Sequence, residues 1–293
     1  MRNDNLKNYL NLHLIVFIWG FTAVLGALLT ITADKIVWYR MFFAAFFLLF
    51  FIVIKKKTLR ISLRFFLKLI FTGLLIALHW IFFFEAIKVS NVSITLSVFS
   101  LGAFLASLFE PLFYGRKVLW YEVLFGLITV LGLGIILQVE ISYLTGMIYA
   151  FGSIILGVLF TLINGKLIES HDSSVITFYE FLSGAFFISI WFLFQNKFSD
   201  DFFVMNSNDW ILMFVLSSVC TAYAFTASVK VMEKLSPYTV MLTTNLEPVY
   251  GIILAYFIIG GKEKMSVSFY IGAFVILITI ILNGIVKNRK QRV

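Results

Sequence analysis

The feature that most constrains this chain is a succession of nearly unbroken apolar runs, each about twenty residues long, of which Ile36–Ile54 is representative. As an α-helix, such a run is about 30 Å long, the thickness of a bilayer's hydrocarbon core. Lipid offers no partner to backbone N–H and C=O groups, so only helices or closed barrels cross it. A barrel strand would alternate apolar and polar residues over about ten positions, and these runs do not alternate. Only 13% of residues are charged while 61% are hydrophobic and 18% aromatic, against about a quarter charged in an ordinary soluble domain. The first run lacks a small-residue cleavage site at its end, so it reads as a retained helix rather than a signal peptide. The lone Cys220 lies within an apolar run and carries no disulfide argument.

Ten spans are expected, roughly at 10–30, 36–54, 68–87, 92–114, 121–138, 146–165, 174–194, 210–232, 238–259 and 268–286. The net charge of +8 does not point to nucleic acid, because the basic residues cluster in short loops beside apolar runs. With a cytoplasmic N-terminus, the inside segments hold 17 Lys and Arg residues against 5 outside. Lys55, Lys56, Lys57, Arg60, Arg64 and Lys68 dominate that count, and Arg40 lies within a span. The excess predicts an even number of spans with both termini inside.

The chain also repeats itself. Shifting by 146 positions places Ser90 on Ser236, Leu96 on Leu242, Gly115 on Gly261 and Gly126 on Gly272 without a gap. The same shift matches Ser93 with Thr239 and Ser97 with Thr243. Gly20 pairs with Gly157, and Tyr39-Arg40 with Tyr179-Glu180, at slightly smaller offsets. The expected fold is therefore an all-α membrane protein of ten transmembrane helices in two inverted five-helix repeats. Residues 1–140 and 141–293 form one integral unit. An odd number of crossings per repeat inverts the second copy, an arrangement common in secondary transporters with midplane substrate sites.

Several short runs then fall into a familiar order. They are Phe17-Ile18-Trp19-Gly20, Arg40 in the second span, His79-Trp80, Glu85 through Ser93, Leu235-Ser236-Pro237, Glu247-Pro248 and Gly260-Gly261-Lys262-Glu263-Lys264. In this order they resemble the EamA-type, ten-helix branch of the drug/metabolite transporter superfamily, over essentially the whole chain. The resemblance implies a central cavity lined by helices 1, 3, 4, 6, 8 and 9, with helices 5 and 10 more peripheral. It also implies export or exchange of small metabolites, often amino acids. Two departures stand out. Gly102 occupies the place of the proline expected in the fourth helix. Gly115-Arg116-Lys117 lacks the acid that ends the matching run, so the two halves are expected to have diverged there.

Polar residues inside the spans are the site candidates, since a charge at the bilayer centre needs a partner or water. Glu247 stands midway along the ninth span beside Pro248, with Thr243 and Tyr250 one turn to either side. It reads either as a cavity carboxylate for an ammonium group or proton, or as an acceptor for nearby hydroxyls. Ser93, Ser97, Ser100 and Ser107 share a face of the fourth helix, matched by Thr239 and Thr243 on the ninth. That face suits helix packing or a pore lining. Arg40 and Glu180 sit at inverted depths, which rules out a salt bridge between them; each is a candidate gate or helix-end anchor, and Arg40 is long enough to snorkel. His79 reads as a titrating group or a wall residue, Trp80 as a stacking or packing ring, and Glu85 as part of an outer vestibule or interface. Gly20, Gly157 and Pro248 are hinge candidates.

No cofactor or metal pattern occurs: His13, His79 and His171 are the only histidines, and none has zinc-site spacing. The expectation is a secondary transporter, not an enzyme, working by alternating access in a bacterial inner membrane. Its partners would be a small-molecule substrate, the lipid bilayer and protons as a candidate coupling ion, with no nucleic acid. An intramembrane enzyme lacks a catalytic constellation, and a channel lacks a filter-like loop.

Overall fold

A computed structural model of the protein describes residues 2–290. Met1, residues 291–293 and the side chains at 2–5, 137–139, 200, 201, 262 and 287–290 lie outside the described set. Several charges used to orient the chain (Arg2, Lys262, Lys287, Arg289, Lys290 and Arg292) therefore fall outside it, as do the outermost ends of the two expected units.

Among the described residues the chain is helical, with no strand. The first three spans are Arg2–Leu28, Ala33–Ile54 and Leu63–Val89. The fourth is split into Val92–Phe99 and Gly102–Tyr114, and the fifth is Trp120–Val139. The sixth and seventh are Leu144–Leu167 and Ser173–Phe194. The eighth runs from Ser207 to Val231 through a π-helical turn at Ser218–Tyr223. The ninth is split into Pro237–Thr244 and Glu247–Ile258, and the tenth is Val267–Lys290. Nine of these are long and apolar enough to cross a bilayer, and the fifth contributes a shorter apolar helix, Trp120–Ile136. The protein is a multi-pass membrane protein.

Local chemistry sets the helix ends. Ser62, Asn91, Asp172, Asn206 and Ser236 each accept a hydrogen bond from a first-turn N–H, a cap worth about 1 kcal/mol. Glycine ends matching helices of the two halves: Gly115 (φ 66°) follows the fourth span and Gly260 (φ 74°) the ninth, left-handed positions that cost other residues energy. Phe42, Phe46 and Phe50 face outward along the second span, while Ile36, Arg40 and Ala44 are buried on its other side.

The two split helices differ from the continuous spans expected at 92–114 and 238–259. Each breaks by one tight turn: Ser100 and Leu101 in the fourth helix, and Leu246 in the ninth, bond three residues back instead of four. Pro248 tolerates its position because the first turn of a helix needs no N–H from it. The caps Asn91 and Ser236, the two breaks, and Gly115 and Gly260 all superpose at a shift of 145, one less than the sequence match. Shared glycines and serines fix the shift only loosely, whereas backbone geometry fixes it by residue.

The two breaks meet. Asn245 donates through Nδ2 to the Ser100 carbonyl (2.9 Å) and accepts from the Ala103 N–H (3.3 Å). These are the backbone groups that the break in the fourth helix leaves without an α-helical partner. Helix ends are tied by a similar exchange. Glu263, after the ninth helix, accepts from the Val92 and Ser93 N–H groups (both 3.0 Å) and from the Ser93 hydroxyl (2.8 Å). Glu110, at the end of the fourth helix, accepts from the Tyr238 N–H at the start of the ninth (3.1 Å). The divergence expected at these ends is thus one of position: each repeat still supplies an acid to the other's helix start.

Candidate functional site

The spans enclose a cavity of about 80 Å³, measured by where the centre of a water molecule fits. Its wall draws on spans 1, 3, 4, 6, 8 and 9, together with Arg40 of the second span. The cavity is mostly aromatic and aliphatic, with polar groups at a few points.

Arg40 is the most unusual of these. It is 1% exposed, so it does not snorkel. Its guanidinium carbon lies 3.7 Å from the centre of the Trp80 ring, and its Nε donates to the Thr221 hydroxyl (2.6 Å). Thr221 stands in the π-helical turn, and its own hydroxyl donates five residues back to the Leu216 carbonyl. Such turns recur at functional sites, and here the widened helix brings Thr221 against the arginine. Nη1 of Arg40 has no protein partner.

Glu247 opens the second half of the ninth helix and lines the same cavity. It lies within electrostatic reach of Arg40. The break in the helix aims first-turn N–H groups and the positive end of the helix dipole at this position, which favours an anion there.

His79 and Trp80 also line the cavity. The His79 Nδ1 donates to the Ser153 carbonyl (2.7 Å), and the Ser153 hydroxyl donates back to the His79 carbonyl (2.7 Å). Gly157 faces His79, where an added Cβ would lie 3.1 Å from the imidazole. Gly20 sits where the first and ninth spans cross, and a Cβ there would stand 2.9 Å from the Tyr250 Cβ. Pro248 begins the helix that Gly20 packs against.

The remaining candidates stand elsewhere. Ser93 is bonded to Glu263, Ser97 donates to the Ser93 carbonyl and Ser100 to the Ser97 carbonyl. Thr239 exchanges a hydrogen bond with Ser236 (2.9 Å), and Thr243 donates to the Thr239 carbonyl. The stripe hydroxyls therefore bond within their own helix, except that Ser93 also reaches Glu263, and they are absent from the cavity wall. Tyr250 packs edge-on against Phe17. Glu85 lies near the far face, within electrostatic reach of Asp34, Lys88 and Lys197. Glu180 is fully buried behind the cavity, where Asn164 donates to it (3.4 Å).

Asn164, Thr221 and Asn245 were not among the sequence candidates. Asn164 and Asn245 are amides inside apolar helices, a signal present in the sequence. Thr221 carries none, since only the π turn exposes its role.

The two ends of the cavity differ. Toward the face where loops 4–5, 6–7 and 8–9 emerge, Met232 borders both the cavity and a wide vestibule lined by Glu110, Arg116, Glu122 and Glu169. There Arg116 bridges Glu110 (2.5 Å) and Glu122 (2.8 Å). Burial disfavours its charge, but the two carboxylates outweigh burial and hold the guanidinium proton more tightly than usual. On the same face Lys57 pairs with Asp172 (2.7 Å). Partial burial pushes that carboxyl up, yet Lys57 and Ser174 prevail and hold it below its ordinary range. The opposite face is tied shut. Asp209 accepts from the Thr30 N–H (3.0 Å) and hydroxyl (2.5 Å), Lys88 donates to the Leu29 carbonyl, and Lys197 pairs with Asp34.

Known proteins match this architecture. The EamA-like transporter family matches residues 6–138 and again 144–285. A solved crystal structure aligns over 97% of this chain and 98% of its own, with a TM-score of 0.72 at 15% identity, a likeness of fold. No curated protein matches the chain. Two family matches that together span nearly the whole length, on a ten-span bundle around a largely apolar cavity with a few polar groups, place the chain in the EamA-like transporter family, whose members carry small molecules across membranes.

Proposed function

We propose that the protein exports a small zwitterionic metabolite, an amino acid or close relative, across a bacterial inner membrane by alternating access. The observation that carries this is the presence in one cavity wall of Arg40, with an unpartnered Nη1, and of the carboxylate residue Glu247. A guanidinium suits a carboxylate and a carboxylate suits an ammonium, so the pair can hold the two ends of an α-amino acid. Trp80 screens the guanidinium from lipid and leaves its other edge for the ligand. One water needs ~10–15 Å³ by the measure used above, so the cavity takes on the order of six waters or a ligand of similar size.

The vestibule supports a state open toward the face that carries both termini, which the positive-inside excess makes cytoplasmic. Substrate would enter there and leave after residues 1–140 and 141–293 rearrange about the crossing of the split helices. The hinge sites would be the close contacts at Gly20 and Gly157 and the start of the helix at Pro248.

Counterflow of labelled amino acids in proteoliposomes tests this reading. Glu247→Gln should lower exchange at least tenfold with unchanged folded yield, since it removes the ammonium's partner while keeping the shape. Wild-type exchange by that variant would return Glu247 to a purely structural role.

A further inference from the structure

Glu180 has a geometry that the substrate reading does not use. Its side chain is wholly buried in the seventh span. Oε2 accepts one long hydrogen bond from Asn164 Nδ2 (3.4 Å), and Oε1 has no partner. Asn164 is itself 1% exposed, and its Oδ1 also has none. The two orphaned atoms are thus both acceptors, and they belong to the two side chains already joined by one N–H. Buried acceptors without donors are rare, because each gives up its hydrogen bond to water for nothing.

Ionised, Glu180 would lie in an apolar interior without a counter-ion. Groups on the helices packed around it do not supply one. Arg40 of the second span turns to Thr221 and Trp80 and bonds none of its N–H groups to Glu180, and His79 of the third is held by Ser153. Arg64 and Lys68 of the third span, Lys166 of the sixth and Lys230 of the eighth are exposed. Among the described residues none forms an ion pair with Glu180.

One proton resolves both orphans. Placed on Oε1, it turns the carboxylate into a carboxylic acid whose O–H donates to Asn164 Oδ1, while Nδ2 continues to donate to Oε2. An acid and a primary amide then pair through two hydrogen bonds in a closed ring. Asn164 also lines the cavity, so one edge of the pair faces that cavity.

We propose that Glu180 and Asn164 form a proton-binding site at the edge of the cavity, with Glu180 held as a neutral carboxylic acid in this state. A hydronium ion in the cavity transfers its proton to the carboxylate, leaving water and the acid–amide pair. The reverse transfer leaves an unpaired buried carboxylate, so release is favoured only when the helices move and admit water. The site depends on the chain being a transporter and not on which substrate it carries.

Infrared spectroscopy of the full-length protein in lipid reads the acid directly. Wild type should show a protonated-carboxyl C=O band near neutral pH that shifts in D2O, and Glu180→Gln should remove it. The Gln amide can donate to Asn164 Oδ1 in place of the acid, so that variant keeps its fold. Parallel spectra of Glu247→Gln should retain the band. Its absence from wild type, or its persistence in Glu180→Gln, overturns the proposal. With pyranine trapped in proteoliposomes and a mixture of amino acids added, wild type should move protons several-fold faster than Glu180→Gln; equal rates in the presence of amino-acid flux overturn it too. If no amino acid moves at all, the substrate reading fails while the band still decides the proton site.

Discussion

Asn245 links both breaks with one side chain. Its amide donates to Ser100 and accepts from Ala103, and replacement by Leu would leave a backbone carbonyl and an N–H buried without partners. Each such group costs roughly 1–3 kcal/mol, so Asn245→Leu should lower the melting temperature of the purified protein by several degrees. An unchanged melt would show that the breaks are held by packing alone. At this scale the sequence was partly legible. Glu247, His79, Trp80 and Arg40 stood out as polar or bulky groups inside apolar helices, and all four line the cavity. The serine and threonine stripes were equally visible, but a hydroxyl bonded to its own helix looks in sequence like one facing a pore. For Arg40 the sequence left snorkelling and a gate or anchor both open, for a related reason. Its distance from the span end allows snorkelling, and only the Trp80 ring and the Thr221 hydroxyl show that it turns inward.

At the level of elements, the split helices are held at both ends by the opposite repeat. Glu263 takes three hydrogen bonds from the start of the fourth helix, and its charge sits at the positive end of that helix's dipole. Glu263→Ala should therefore destabilise by about 2 kcal/mol, near the upper end of cap effects, in a thermal unfolding series in detergent. Glu263→Gln should recover part of the loss, because its oxygen still accepts. A silent alanine variant would mean water replaces the carboxylate. Span positions were read from hydropathy to within a few residues, since a twenty-residue apolar run has one economical structure in lipid. The breaks were not read. Pro248 marked one, whereas the turn at Ser100 and Leu101 has no proline and depends on a side chain about 145 residues away.

For the whole molecule, the even number of spans and the positive loops make a directional prediction. A reporter fused after Arg289 should be cytoplasmic, and one inserted near Asp201 should be external; the reverse labelling would invert the assignment. The present arrangement, open on the face with the vestibule and tied on the other by Asp209, Lys88 and Lys197, is one of the two that inverted repeats permit. The repeat itself was legible because its glycines and serines recur, and the family match extends over both copies. The exchanged caps carry a consequence for biosynthesis. A ribosome delivers the fourth helix to the membrane long before Glu263 exists, and its first N–H groups must then wait in the interfacial water. Neither half, made alone, has a finished split helix. Assembly of this protein is therefore completed only after the last loop has emerged, and a chain truncated before that loop would be left open to quality-control proteases.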